Sequence, residues 1–109
     1  EPDIHKLYRA RAVIEENFPR WIGPAAICKH SQLNQLKLKI GFRHLFHQTP
    51  YECFQELKLR KARQLLLEGK ESITNIAYLS GYQHLSSFSE VFKDTYGFSP
   101  SEFLKEGKY

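Results

Sequence analysis

The sequence predicts an all-α chain of seven helices forming two helix-turn-helix units joined by a long linker helix. Three observations lead there. Apolar residues recur at three- and four-residue spacing, and no useful length alternates in the manner of a strand. Capping and terminating residues stand at the ends of the periodic segments. Much of the chain repeats in kind after a shift of fifty residues.

The elements follow in order. The first helix runs from about Ile4 to Asn17, with Asp3 as its cap and Ile4, Leu7, Tyr8, Ile14 and Phe18 as its apolar stripe. Pro19 stops it. A short helix follows Gly23-Pro24, since proline suits the first turn. A third starts at the N-cap residue Asn34 and runs to about Phe46. Thr49-Pro50-Tyr51-Glu52 then combines a capping threonine, a first-turn proline and a glutamate that reaches back to close a capping box. The helix it opens is the linker, about residues 50–68, ended by Gly69. At 1.5 Å per residue it is a rod of roughly 28 Å. A fifth helix covers about Ile73–Leu79, between Ser72 and Gly81, and a sixth about Leu85–Thr95. Ser99-Pro100-Ser101-Glu102 opens the seventh with the chemistry of the linker's own start.

The fifty-residue shift places Leu38 on Phe88, Phe42 on Phe92, Arg43 on Lys93 and Phe46 on Tyr96. It also places Thr49, Pro50 and Glu52 on Ser99, Pro100 and Glu102. Each repeat is a short helix, a turn, a longer helix and a capped exit, which is a helix-turn-helix unit. The first unit covers about residues 20–48 and the second about residues 72–98, within one domain spanning 1–109. In the first, Ile27, Cys28, Leu33, Leu38, Phe42 and Leu45 are the core side chains, which turns Leu36, Lys37, Lys39, Ile40, Arg43 and His44 outward. In the second, Ile73, Ile76, Ala77, Leu79, Leu85, Phe88, Val91 and Phe92 are the core, which turns Ser86, Ser87, Ser89, Glu90, Lys93 and Asp94 outward. The aromatic residues at helical spacing are core rather than base-stacking platforms.

Composition bounds the rest. The chain has 109 residues, 41% hydrophobic and 26% charged, which supports one compact core and argues against disorder. No apolar run approaches the roughly 20 residues that span a bilayer, and residues 1–28 lack the apolar stretch of a signal peptide. The start at Glu1 and the absence of methionine point to a fragment or processed form. Cys28 and Cys53 are too few for a disulfide scaffold, so both read as reduced core residues of a cytosolic protein. The net charge of +4 is unevenly placed: residues 29–70 carry +6 and residues 71–109 carry −2. A basic middle suits a polyanion, although a solvated helix face has the same composition. The N-terminal part of the second helix of such a unit enters the DNA major groove, and two units on a roughly 28 Å rod suit successive groove faces about 34 Å apart.

Three segments then carry a resemblance. They are Ile76-Ala77-Tyr78-Leu79-Ser80-Gly81-Tyr82, Ser87-Phe88-Ser89-Glu90-Val91-Phe92-Lys93 and Tyr96-Gly97-Phe98-Ser99-Pro100-Ser101-Glu102-Phe103. Together they resemble the second-half signature of AraC/XylS-type transcription regulators. Leu33-Asn34, Lys37-Leu38-Lys39, Gly41-Phe42, Leu45-Phe46 and the run from Leu57 to Leu67 resemble its first half and linker, so that about residues 4–105 are covered. The resemblance implies seven helices, binding of double-stranded promoter DNA and regulation of transcription in the bacterial cytoplasm, with activation favoured over repression. It places base-reading positions on Leu36, Lys39 and Ile40, and on Ser86, Ser87 and Glu90. It places phosphate-contacting positions on Lys37, Arg43, Ser89 and Lys93. Leu36 and Ile40 suit thymine methyl groups, unless the helix is rotated so that they are core. The domain is expected to be monomeric, with dimerisation left to a region outside it.

The chain also departs from the family pattern. Glu90 stands where arginine is common, and it suits cytosine N4 rather than a phosphate. His47 stands where glycine is usual. Ser31 and Gln32 replace an apolar-glycine pair before the first reading helix. Lys58 occupies a linker position that is often arginine.

Other function classes find less support. No nucleophile elbow, phosphate loop or metal-ligand motif indicates an enzyme or a cofactor. His44, His47, Cys28, His30 and Cys53 lack the spacing of a zinc site. The alternative that stands is a helical protein-protein interaction module of the transcription machinery. RNA polymerase is the partner considered, reached through a patch for which Phe98 and Tyr109 are the candidates.

Overall fold

The computed structural model describes residues 2–106, which form seven helices in chain order. They are α1 (Pro2–Asn17), α2 (Gly23–Ser31), α3 (Gln35–Phe46), α4 (Pro50–Glu68), α5 (Ile73–Leu79), α6 (Leu85–Tyr96) and α7 (Pro100–Glu106). Among the described residues there is no strand. No described helix is long and apolar enough to cross a membrane.

The helix starts are set by side-chain caps. Asn34 Oδ1 accepts the Lys37 N–H at 2.8 Å and opens α3. Ser72 Oγ accepts the Asn75 N–H at 3.1 Å and opens α5. At α4, the Thr49 N–H donates to Glu52 Oε1 at 2.8 Å and the Glu52 N–H donates to Thr49 Oγ1 at 3.0 Å. At α7 the same pair recurs: the Ser99 N–H donates to Glu102 Oε1 at 2.8 Å and the Glu102 N–H to Ser99 Oγ at 3.2 Å. Each reciprocal pair satisfies two amides that a helix start would otherwise leave orphaned. In both, the backbone hydrogen bond holds the glutamate below its ordinary pKa, and the nearby Arg43 or Lys93 adds to the effect. The internal repeat thus extends from residue type to electrostatics. At the start of α1, Asp3 lies inside the first turn rather than ahead of it, because the helix begins two residues earlier than the spacing predicts.

The chain divides into two compact units, unit 1 up to Leu57 and unit 2 from Lys58. Each has its own core. In unit 1, Val13, Ile14, Ile27, Leu38 and Phe42 are almost wholly buried, with Cys53 and Phe54 from the first half of α4. In unit 2, Ile76, Ala77, Phe88 and Phe92 are packed with Leu59, Ala62, Leu65 and Leu66 from the second half of α4. Composition anticipated one core, and the structure has two. Ring packing suits cores of this size: Phe92 meets Phe88, Tyr96 and Phe103 at centroid distances of 5.7, 4.7 and 5.6 Å.

Several expected core positions fall outside. Ile4 and Tyr8 are exposed, whereas Ala10 and Val13 are buried in their stead. Leu7, Ala10, Val13 and Ile14 share one face at three- and four-residue spacing, and Ile4 and Tyr8 fall outside it. Leu79 and Leu85 are exposed because they flank the α5–α6 turn, while Ile73, Val91, Leu45 and Phe46 are half-buried. Tyr8 packs edge-on against Phe46 at 5.3 Å, and the Arg11 guanidinium lies over both rings, 5.1 and 4.5 Å from their centroids.

Candidate nucleic-acid interface

The two helix-turn-helix turns share a backbone design. In unit 2, α5 ends at Gly81, whose φ is +92°, and the Tyr82 N–H donates to Ala77 O at 2.9 Å. In unit 1, α2 ends at Gln32, whose φ is +60°, and the Leu33 N–H donates to Cys28 O at 3.2 Å. Both are Schellman-type closures, with donor and acceptor five positions apart. Gln32 therefore takes the left-handed conformation that glycine takes in the second turn. His47 does the same after α3, at φ +60°, where Gly97 closes α6 at +83°. Gln32 and His47 thus keep the left-handed turns that glycine closes in unit 2.

Those turns set the faces of α3 and α6. Leu38 and Phe42 are buried in unit 1, and Phe88 and Phe92 in unit 2. On α3 the same phase exposes Leu36, Lys37, Lys39, Ile40, Arg43 and His44. Leu36 is 66% and Ile40 60% accessible, so the reading in which the helix is rotated and they are core does not hold. On α6, Ser86, Ser87, Glu90, Lys93 and Asp94 are exposed, whereas Ser89 is half-buried rather than fully outward. Leu36, Lys39 and Ile40 lie on the first two turns of α3, and Ser86, Ser87 and Glu90 on the first two of α6. Within each unit the expected reading positions share the exposed side of one helix.

The chemistry of the two faces differs. The α3 face offers apolar Leu36 and Ile40 beside three cations, Lys37, Lys39 and Arg43. The α6 face offers hydroxyls and two carboxylates, Glu90 and Asp94, beside a single lysine. Lys37 is itself paired: its Nζ lies 3.5 Å from Asp3 Oδ2, an ion pair from α1 to α3 that sequence spacing did not reveal.

Sequence reasoning also missed the role of Lys58. It is only 7% accessible, and its Nζ sits 3.9 Å from the centroid of the Tyr82 ring. Desolvation lowers its pKa, and the ring face offsets part of that cost. The pair spans 24 positions in sequence and ties α4 to the turn that sets α6. Burial raises the pKa of the Cys28 thiol. Both cysteines are reduced and buried. Among the described residues, no group of three or more His, Cys, Asp or Glu could hold a metal. Of the two residues considered for a polymerase patch, Phe98 is half-buried and Tyr109 lies outside the described residues.

The family model of the helix-turn-helix domain matches residues 27–106. The transcriptional activator RhaR of Mannheimia succiniciproducens is 30% identical over 101 residues, covering 93% of this chain and 37% of the relative. The activator RhaS of Escherichia coli O1:K1 is 35% identical over 114 residues, covering 99% of this chain and 38% of the relative. The chain thus spans little more than a third of these two relatives. A probable AraC family transcriptional regulator from Rhodopseudomonas palustris superposes with a TM-score of 0.83 at 22% identity, over 95% of this chain and 98% of the other. A DNA-binding transcriptional dual regulator from Escherichia coli K-12 superposes with a TM-score of 0.80 at 25% identity, over 94% of this chain and 97% of the other.

Proposed function

The chain belongs to the AraC-type helix-turn-helix domain family, and from that premise we propose that it binds double-stranded promoter DNA in a sequence-specific way and regulates transcription. The observation that carries this is the pairing of a fully buried face with an exposed polar or basic face on both α3 and α6, each directly after a helix-turn-helix turn. We assign base reading to Leu36, Lys39 and Ile40 in unit 1 and to Ser86, Ser87 and Glu90 in unit 2. Leu36 and Ile40 contact thymine methyl groups, Lys39 a guanine edge, and Glu90 a cytosine N4 amine. Lys37, Arg43 and Lys93 contact phosphates. Ser89 does so only from its half-buried place.

One domain carrying two reading helices reads an asymmetric, bipartite site without dimerising, with the two halves in successive major grooves. It acts by binding, in the bacterial cytoplasm where promoter DNA is found. Both relatives described above are named as activators, and activation with contact to RNA polymerase is the direction we carry over. An interaction module without DNA contact is the weaker reading, since the relatives are named as transcriptional regulators.

Selection from a random duplex pool, followed by salt titration of the winners, tests the proposal. Two enriched patches about one helical turn apart, with a steep salt slope, are the expected result. A Leu36→Ala/Ile40→Ala variant should keep its stability and lose the thymine preference in one patch. Weak binding without enrichment would defeat the assignment. A reporter placed downstream of the selected site reads the sign of regulation.

A further inference from the structure

An open groove of about 430 Å³ lies against α3, lined by Trp21, Tyr51, Leu38 and Pro24, with Leu36 and Lys39 from the reading face. Its size falls within the range of small-molecule sites, roughly 300–1,000 Å³. The aromatic wall is held by packing. The Trp21 ring meets Tyr51 edge-on at 5.2 Å and 84°, and it meets Phe54 of the unit 1 core at 5.2 Å. Leu36 presents an apolar side chain that the core does not cover. Lys39 is the only described lining residue charged at neutral pH, and no described carboxylate lies within ion-pair distance of it. The groove therefore combines a largely apolar, aromatic lining with one cation and no anion.

We propose that this groove is a binding site for a small aromatic carboxylate. The ring lies against Trp21 and Leu36, and the carboxylate meets the Lys39 ammonium. Occupancy takes two base-reading side chains out of play, so the ligand and DNA compete for unit 1. This last step rests on the DNA-reading assignment, whereas binding itself does not.

The chain has a single tryptophan, so the Trp21 indole N–H gives one unambiguous NMR resonance in the groove. The probe is 2-naphthoate, with 2-naphthalenemethanol as its neutral counterpart. A ligand of this size is expected to bind with a Kd of about 1 mM or tighter. Naphthoate should shift the indole resonance saturably, the alcohol at least about fivefold more weakly, and Lys39→Gln should remove that difference. Absence of a shift at ~10 mM, about ten times the expected Kd, overturns the site and leaves DNA reading untouched. Equal binding of alcohol and carboxylate overturns the role of Lys39. In a second arm, anisotropy of a labelled selected duplex should show its Kd rising with naphthoate occupancy. An unchanged duplex Kd at saturating naphthoate overturns the competition alone. Failure of the duplex selection itself would instead count against DNA reading.

Discussion

Asp3 sets a carboxylate against the basic face of α3, and it occupies Lys37 at 3.5 Å. A DNA phosphate at Lys37 has to displace it. Replacing Asp3→Asn removes the competitor and should tighten DNA binding about twofold to fivefold at low salt, the range expected of an exposed pair. The gain should fade as salt is raised, and anisotropy titrations at two ionic strengths measure both effects. His47 poses a different question, because it holds a left-handed backbone that its repeat partner assigns to glycine. A side chain in that conformation costs about 1 kcal/mol. His47→Gly should raise unfolding stability by about that amount in urea melts, whereas Gly97→Ala should lower it. An unchanged midpoint for His47→Gly would show that the imidazole compensates through contacts of its own. The identities of these residues were visible in sequence, but their conformations were not. Asp3 meets Lys37, and Lys58 meets Tyr82, only through tertiary packing, which helical spacing does not encode.

The helices were the most legible level. α4 runs over the residues that Thr49-Pro50-Tyr51-Glu52 and Gly69 mark out, and α5 likewise fills the stretch between Ser72 and Gly81. Local hydrogen bonds fix such boundaries, and they involve residues three positions apart. Faces were legible at the large aromatic residues, as at Phe88 and Phe92 of α6, and less so at Leu85 and on α1, where Ala10 and Val13 displace Tyr8 and Ile4 from the core. The groove beside Trp21 was missed because its walls come from α2, α3 and α4 together. The paired capping boxes carry a pH prediction. Both glutamates lie below their ordinary pKa of 4.5 in the folded protein, so folding favours their ionised forms. Their contribution is present in full above that value. It is lost as the pH falls below 4.5 through the depressed folded pKa values, where the native state must take up protons more reluctantly than the unfolded chain. A Glu52→Ala/Glu102→Ala variant should therefore show a flatter acid limb in a plot of unfolding free energy against pH. Parallel acid limbs for both proteins would remove the boxes from the acid response.

For the molecule as a whole, charge is divided as unevenly as the reading chemistry. The middle of the chain carries +6 and the last third −2, so unit 1 and α4 should supply most of the electrostatic affinity. A Lys39→Ala/Arg43→Ala variant should weaken binding more than Lys93→Ala. It should also reduce the salt slope by up to about 2, roughly 0.9 for each phosphate no longer neutralised, and only Arg43 is assigned wholly to phosphate. Equal losses from the two variants would assign the affinity to both units alike. α4 serves both cores, Cys53 and Phe54 packing into one and Leu59, Ala62, Leu65 and Leu66 into the other. Each unit is also contiguous in sequence, and this gives the order of synthesis a physical meaning. The first core has all its residues once Leu57 has been made, whereas the residues of the second follow at roughly 5–20 per second. Helical packing is complete in microseconds to milliseconds. The second half of α4 then extends a helix that is already nucleated, adding one hydrogen bond per residue without a new nucleation step. The nascent chain can therefore assemble as a relay, in which the first unit hands the second a finished helical end to grow from.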